Sequence, residues 1–365
     1  MARLRVALTI EQCWHAVPGG TAVAALGMAG ALAAGGTVEL IGVSARHRRP
    51  PEPPWVPPIP WCGLPLPRIA LYEAWHRLRA PSVEKATGRV DVVHATAFPM
   101  PPRSRPVVLT VHDLAWLDNP AHFTRRGLGF FRRGLELARR DADVVVCPSE
   151  ATRADCVRHG LDSARVRVVP LGIDAAAATD ADVVRAKARY RLERPYVLWA
   201  GTIEPRKNLP GLLQAFRMLD EGIDLVLAGP RGWNEDLESL VGDERDRVHT
   251  VGFVSPEDLR GLYAGAALLC WPSFMEGFGF PVLEAMAQGT PVVTSAGTST
   301  EEIAGGAGVL VNPRDPQSIA AGMKEVLEDD GRAAALADAG RKRAGEFTWE
   351  RTGRMLSEIY EEVAA

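Results

Sequence analysis

Short apolar runs alternating with helical segments, twice over, leave this chain few ways to fold. In the first half such runs stand at 4–9, 38–43, 90–94, 107–112, 144–147 and 166–169. Between them lie an alanine-rich helical stretch after Pro18-Gly19-Gly20-Thr21, a helix at 69–80, a basic helix near 123–140 and one from Ser149. Apolar strands separated by helices make parallel sheets covered on both faces. The rhythm lapses at 173–194 and resumes with runs at 196–200, 223–228, 248–251, 268–271, 292–294 and 308–311. A chain of 365 residues also exceeds one ordinary core. The expected fold is α/β: two doubly wound Rossmann-like domains facing each other across a cleft. They are expected at 1–172 and 195–348, with 173–194 as a linker and a helix at 349–365 packing back toward the first. The proline-loaded stretch 44–68 is not expected to be regular.

Composition narrows the function classes. Hydrophobic content of 47% with 24% charged residues describes a soluble globular protein, and a net charge of −3 gives no electrostatic reason for a nucleic-acid partner. The apolar run after Met1 stops at Glu11, too short for a signal peptide. No apolar stretch reaches the roughly 18 residues of a membrane helix. Five scattered cysteines, at 13, 62, 147, 156 and 270, lack paired metal spacing and read as reduced thiols in a cytoplasmic protein.

Chemistry concentrates in the second half. Gly201-Thr202-Ile203-Glu204-Pro205-Arg206-Lys207-Asn208 is a strand end, a glycine turn and a cation pair before a new helix. Arginine offers forked donors to phosphate and lysine a point charge, where a helix start also favours an anion. In the stretch 272–295, Glu276 precedes Gly277-Phe278-Gly279-Phe280, and Glu284 sits inside a helical pattern. Glycines let backbone approach a ligand, and a helix start offers free N–H groups. The bland alternatives are a solvated cation pair, a glutamate on an outer helix face, and, for His112, a histidine capping a buried strand.

These motifs together resemble the retaining glycosyltransferases of family 4, whose fold is the two-domain GT-B arrangement. The segments Thr110-Val111-His112-Asp113-Leu114 and Gly308-Val309-Leu310-Val311-Asn312-Pro313 fit as well. The resemblance implies a sugar transfer from a nucleotide diphosphate sugar to a hydroxyl acceptor by a front-face route, with no cofactor and no metal. Arg206 and Lys207 would hold the donor diphosphate and carry its charge as it leaves. Glu284 would accept from the ribose hydroxyls. Glu276 would lie by the sugar, and the backbone of Gly277, Phe278, Gly279 and Phe280 would contact sugar or phosphate. Gly201 closes the first turn, Gly19 and Gly20 would approach the phosphates from the other domain, and His112 would orient the transferred sugar. The forms around His112 and Arg206 look most like the mannosyltransferase branch, which makes GDP-mannose the first donor and UDP-glucose the second. A sugar-nucleotide epimerase, a phosphorylase and a non-catalytic binding protein are the rivals.

Other features are discounted. Asp141-Ala142-Asp143 has a metal-pair spacing but precedes a strand, and is read as strand-entry surface. His94 and His122 lack ligand partners at metal spacing. Gly19-Gly20 lacks the third glycine of a dinucleotide fingerprint. In the basic helix, Arg125, Arg132 and Arg139, and likewise Arg126, Arg133 and Arg140, repeat every seven residues, opposite Leu128, Phe131, Leu135 and Ala138. That face is either a solvated exterior or a peripheral contact with anionic lipid at the inner membrane face, or with a phosphorylated acceptor. The acceptor itself, a glycan or a lipid-linked hydroxyl, is not legible.

Overall fold

The computed structural model describes residues 3–120, 123–232, 237–242 and 244–365. It divides into Met1–Gly172 with Thr348–Ala365, and Ile173–Phe347. His122 lies outside the described residues.

The first unit holds an all-parallel sheet of β1 (Leu4–Thr9), β2 (Val38–Ser44), β3 (Trp61–Gly63), β4 (Val92–Ala95), β5 (Val107–Thr110), β6 (Val144–Cys147) and β7 (Val166–Val168). Their spatial order is β3-β2-β1-β4-β5-β6-β7. β4, β5 and β6 are buried at every position, which is why, His94 and Thr110 apart, their sequences are apolar rather than alternating. β3 corrects the expectation for 44–68. Trp61-Cys62-Gly63 adds an edge strand alongside Gly42–Ser44, carried by pairing and not by propensity.

The C-terminal helix Trp349–Ala364 belongs to this unit. Tyr360 is fully buried, and its hydroxyl lies 2.6 Å from Nδ1 of His94, whose Nε2 lies 2.7 Å from the Thr110 hydroxyl. Gly27 and Gly353 let this helix close on helix Gly19–Gly35; a Cβ at Gly27 would fall 2.2 Å from the Trp349 ring. His94 is therefore a structural tie between a strand and the last helix. Burial pushes its imidazole down to about 3, so it is neutral.

The second unit repeats the plan: β8 (Tyr196–Ala200), β9 (Asp224–Ala228), β10 (Val248–Gly252), β11 (Leu268–Trp271), β12 (Val292–Ser295) and β13 (Val309–Val311), in the order β10-β9-β8-β11-β12-β13. In each sheet the order of strand addition thus reverses once, beside the first strand, between β1 and β4 and between β8 and β11. Such a switch point leaves a crevice beyond the carboxyl ends of the two strands.

Residues 173–194 are not a bare linker. Helix Asp180–Tyr190 starts with a Thr179–Asp182 capping box, and Arg185 and Arg189 reach the buried carboxylate of Asp258 at 3.2 and 2.8 Å. Its inner face is small, with Ala186 fully buried against Gly261, so it lacks the large apolar stripe that marks most packed helices in sequence. Asp141 is corrected too. It is not surface: it accepts from Arg79 at 2.9 Å and from Arg140 at 2.6 Å. The Arg140 hydrogen bond, outweighing burial and helped by the Arg79 charge, holds its carboxyl below the usual range.

Candidate functional site

The site residues sit where β8 and β11 end side by side. β8 runs into Gly201, whose N–H donates to Ala228 at 2.8 Å. A Cβ at Gly201 would stand 2.6 Å from the Trp271 ring and 3.2 Å from the Lys207 ammonium, so only glycine lets the turn lie this close. A short 3-10 turn, Pro205–Lys207, follows. Asn208 ends it with φ of 55° and caps helix Leu209–Phe216 through its side-chain oxygen. Its Nδ2 donates to the carbonyls of Pro272 (3.0 Å) and Pro313 (2.6 Å), fastening this loop to the one after β11.

Three predicted residues meet there. Arg206 reaches Glu276 at 2.5 Å and Glu204 at 2.6 Å, and donates to the Met275 carbonyl at 3.0 Å. Lys207 lies 3.6 Å from the other oxygen of Glu276, with its ammonium 4.5 Å from the Trp271 ring centroid. The Ser273 hydroxyl donates to Glu276 at 2.9 Å. Two cations and two carboxylates thus form one network in which each carboxylate holds a cation in place. Burial would raise the Glu276 carboxyl, but the Arg206 and Lys207 charges and the hydrogen bonds from Arg206 and Ser273 outweigh it and hold it low. For Lys207 burial wins over the Glu276 charge, and its ammonium is more acidic than an ordinary lysine.

Glu284 lies on helix Phe280–Ala287, away from this network. It accepts from the Tyr263 hydroxyl at 2.9 Å. Its carboxyl is pushed up by burial, with Asp174 adding to the rise and the Tyr263 hydrogen bond opposing it. Gly279, at φ of 113°, caps that helix with a backbone a side chain rarely adopts. Phe278 is buried, its ring against Phe280 and Phe347, so its side chain is core and only its backbone can serve a ligand. The Ser299 hydroxyl donates to the carbonyls of Glu276 (2.6 Å) and Phe278 (3.3 Å), pinning the loop from below.

His112, Gly19 and Gly20 belong to the first unit. His112 lies two residues beyond β5, with Nε2 2.9 Å from the Thr96 carbonyl. Burial lowers its imidazole despite that bond, so it is neutral. Thr96 in turn is tied to Thr9 and to Gln12 (2.7 Å), so His112 stands over the switch point of its own sheet. Gly19 and Gly20 form the first turn of helix Gly19–Gly35 rather than a preceding loop, and space is open beside Gly19.

Comparison with known proteins gives the family and the fold. The family model "Glycosyl transferases group 1" matches residues 180–343, and "Glycosyltransferase Family 4" matches 18–177. O-antigen chain mannosyltransferase B of Escherichia coli is 33% identical over 270 residues, 71% of each chain. The chain belongs to glycosyltransferase family 4. A second relative, an MMP alpha-(1->4)-mannosyltransferase of Mycolicibacterium hassiacum, is 30% identical over 71% of this chain and 66% of its own. Among solved structures, Anabaena HepE in complex with UDP and glucose superposes with a TM-score of 0.80 at 19% identity, covering 99% of this chain and 100% of its own. Sucrose-phosphate synthase from Thermosynechococcus elongatus gives 0.78 at 23%, covering 99% of both chains. At such identity these show the fold, which is GT-B.

Within this glycosyltransferase several partners of the site were not singled out from sequence. Glu204 and Ser273 stand inside the quoted motifs, and their nearness to Arg206 and Glu276 was the available signal. Tyr263 and Trp271 gave none, since each reads as an ordinary apolar core position. Among the described residues no group of three His, Cys, Asp or Glu side chains could hold a metal ion. No described helix is long and apolar enough to cross a membrane.

Proposed function

We propose that this glycosyltransferase is a retaining, metal-independent hexosyltransferase. It moves a sugar, mannose first, from a nucleotide diphosphate sugar to a hydroxyl acceptor in glycan, polysaccharide or glycolipid synthesis. The observation that carries the reading is the Arg206–Lys207–Glu276 network at the switch point between β8 and β11. Breaking a sugar–phosphate bond needs charge stabilisation on the departing diphosphate, and preorganised cations supply it without reorganising. Lys207 and Arg206 take that part, held by Glu276 and Glu204. Glu276 serves the sugar, with backbone of the 277–280 loop, and Glu284 the ribose hydroxyls. The neutral His112 orients the transferred sugar, and the leaving phosphate helps deprotonate the acceptor on the same face.

GDP-mannose is the favoured donor, supported by the two mannosyltransferase relatives. UDP-glucose is second, supported by the UDP-glucose complex of a structural neighbour. The exposed arginines of helix Arg125–Asp141 support a peripheral contact with an anionic membrane at its cytoplasmic face. A thermal-shift panel of GDP-mannose, UDP-glucose and an ADP-sugar tests the donor reading: one of them raises the melting temperature, and stabilisation by none refutes it. Transfer assays with EDTA, with the product anomer read by NMR, test the rest. Loss of turnover with chelator, or an inverted anomer, would overturn those parts.

A further inference from the structure

A cavity of about 440 Å³ opens on the first unit between helix Arg68–Glu73, its π-helical continuation Ala74–Leu78, and helix Arg125–Asp141. Four arginines line it, Arg77, Arg125, Arg126 and Arg133, against one carboxylate, Glu73. Glu73 is spent on two of them: 2.8 Å from Arg77 and 3.7 Å from Arg126. Among the described residues Arg125 and Arg133 have no carboxylate partner, which leaves the cavity with a surplus of positive charge.

One wall is aromatic and fixed. The His76 ring stacks on Phe130 at 4.1 Å and 9°, with Nε2 3.0 Å from the Phe98 carbonyl. Packed aromatic rings hold less water than open surface and so screen the charges above them less. Gly129 lies one turn from both Arg125 and Arg133, and a Cβ there would meet nothing within 4 Å. The gap between the arginines therefore exists because that position carries no side chain. Eight residues along a helix span about 12 Å. Two arginine forks can close over that distance on a ligand with two phosphates, more easily than on one, and forked donors match phosphate oxygens.

We propose that this cavity binds a phosphate ester, best matched by a diphosphate group, at a site separate from the donor residues. The site shares no residue with the donor reading: Arg206, Lys207, Glu276 and Glu284 belong to the other unit, and Gly19, Gly20 and His112, on this one, do not line the cavity. Either a soluble sugar or alcohol diphosphate or a phosphate headgroup on a lipid carries the required chemistry.

The test uses inorganic pyrophosphate as probe, by calorimetry on the full chain. Lys207→Met removes a donor-site cation and should leave binding at this cavity unchanged. Arg125→Ala/Arg133→Ala should weaken it at least tenfold. Gly129→Leu keeps every arginine and is an exposed helical change that favours folding; by filling the gap it should weaken binding by a similar factor. Circular dichroism and melting confirm that each variant is folded, and Arg125→Lys/Arg133→Lys, which keeps the charge and loses the fork, should fall between. Pyrophosphate binding that is absent from the Lys207→Met protein, or unchanged by Gly129→Leu, overturns the proposal. Phosphatidylglycerol vesicles, with phosphatidylcholine as control, then assign the source. Pelleting that pyrophosphate competes away and Gly129→Leu abolishes places a lipid headgroup in the cavity. No pelleting, with calorimetric binding intact, leaves the soluble ester.

Discussion

Replacing Lys207 with methionine separates the chemistry of the site from its architecture. The lysine side chain is 11% exposed, its ammonium over the Trp271 ring and 3.6 Å from Glu276. Methionine keeps the unbranched length over that ring and removes the charge. Glu276 is not orphaned by the change, because Arg206 at 2.5 Å and Ser273 at 2.9 Å still hold it. Burying the ammonium already costs free energy, as the lowered Lys207 value shows. The two effects oppose each other, and stability should move by no more than about 1 kcal/mol, a few degrees in melting temperature. Binding should respond differently. A hydrogen bond to a charged group contributes about 1.5–3 kcal/mol, so the affinity for GDP or UDP should fall roughly 10- to 150-fold. Turnover should fall about 10²- to 10³-fold, since the same charge meets the diphosphate as it departs. Calorimetry with both nucleotides, a melting curve and nucleotide release with and without acceptor measure all three. A folded Lys207→Met protein that binds and turns over like the parent refutes the role; a collapse in melting temperature shows the lysine to be architectural.

Glu276→Gln should be the opposite case, losing about 3–5 kcal/mol of stability because two largely buried cations share that carboxylate, which a denaturant series would detect. Gly201→Ala should weaken nucleotide binding by pushing on Trp271 and Lys207, while a swap to alanine at exposed Gly222 leaves it unchanged, as titration calorimetry would show. Because the Glu284 carboxyl is raised, it takes up a proton above the ordinary carboxylate range. Donor affinity should therefore fall as pH drops toward that range, before reaching it, and Tyr263→Phe, which removes the opposing hydrogen bond, should move the loss to higher pH in binding measured from pH 8 down. His94, neutral in the folded chain at about 3, contributes stability that is complete above the unfolded value and lost as pH falls below about 6.5. At pH 5 the loss is about 2 kcal/mol. His94→Gln should be less stable at pH 7.5 yet lose that much less on acidification, and equal acid loss in both proteins would refute the burial of a neutral His94.

The two-sheet plan was legible because buried parallel strands must be apolar on both faces, and runs such as 144–147 and 268–271 permit little else. The linker reading of 173–194 failed because helix Asp180–Tyr190 packs through alanine and ion pairs, leaving no apolar stripe to read. β3 was hidden because an edge strand of three residues is made by its neighbour.

The candidate site divides the same way. Sequence by itself supplied the candidates Arg206, Lys207, Glu276 and Glu284: a cation pair after a glycine turn, one carboxylate before a Gly-Phe-Gly run and one inside a helical pattern. It could not decide which of them touch. Glu276 and Glu284 stand eight positions apart. Yet the first closes on cations some seventy residues earlier, and the second on Tyr263. That choice belongs to the sheet order, which sets the ends of β8 and β11 side by side, and to the buried Asn208, which fastens the two loops. The arginine-lined cavity arises likewise. The chain wrote the arginines and the glycine between them, but only packing of helix Arg125–Asp141 against the π turn, with His76 stacked on Phe130, gave them an aromatic wall and an open concavity.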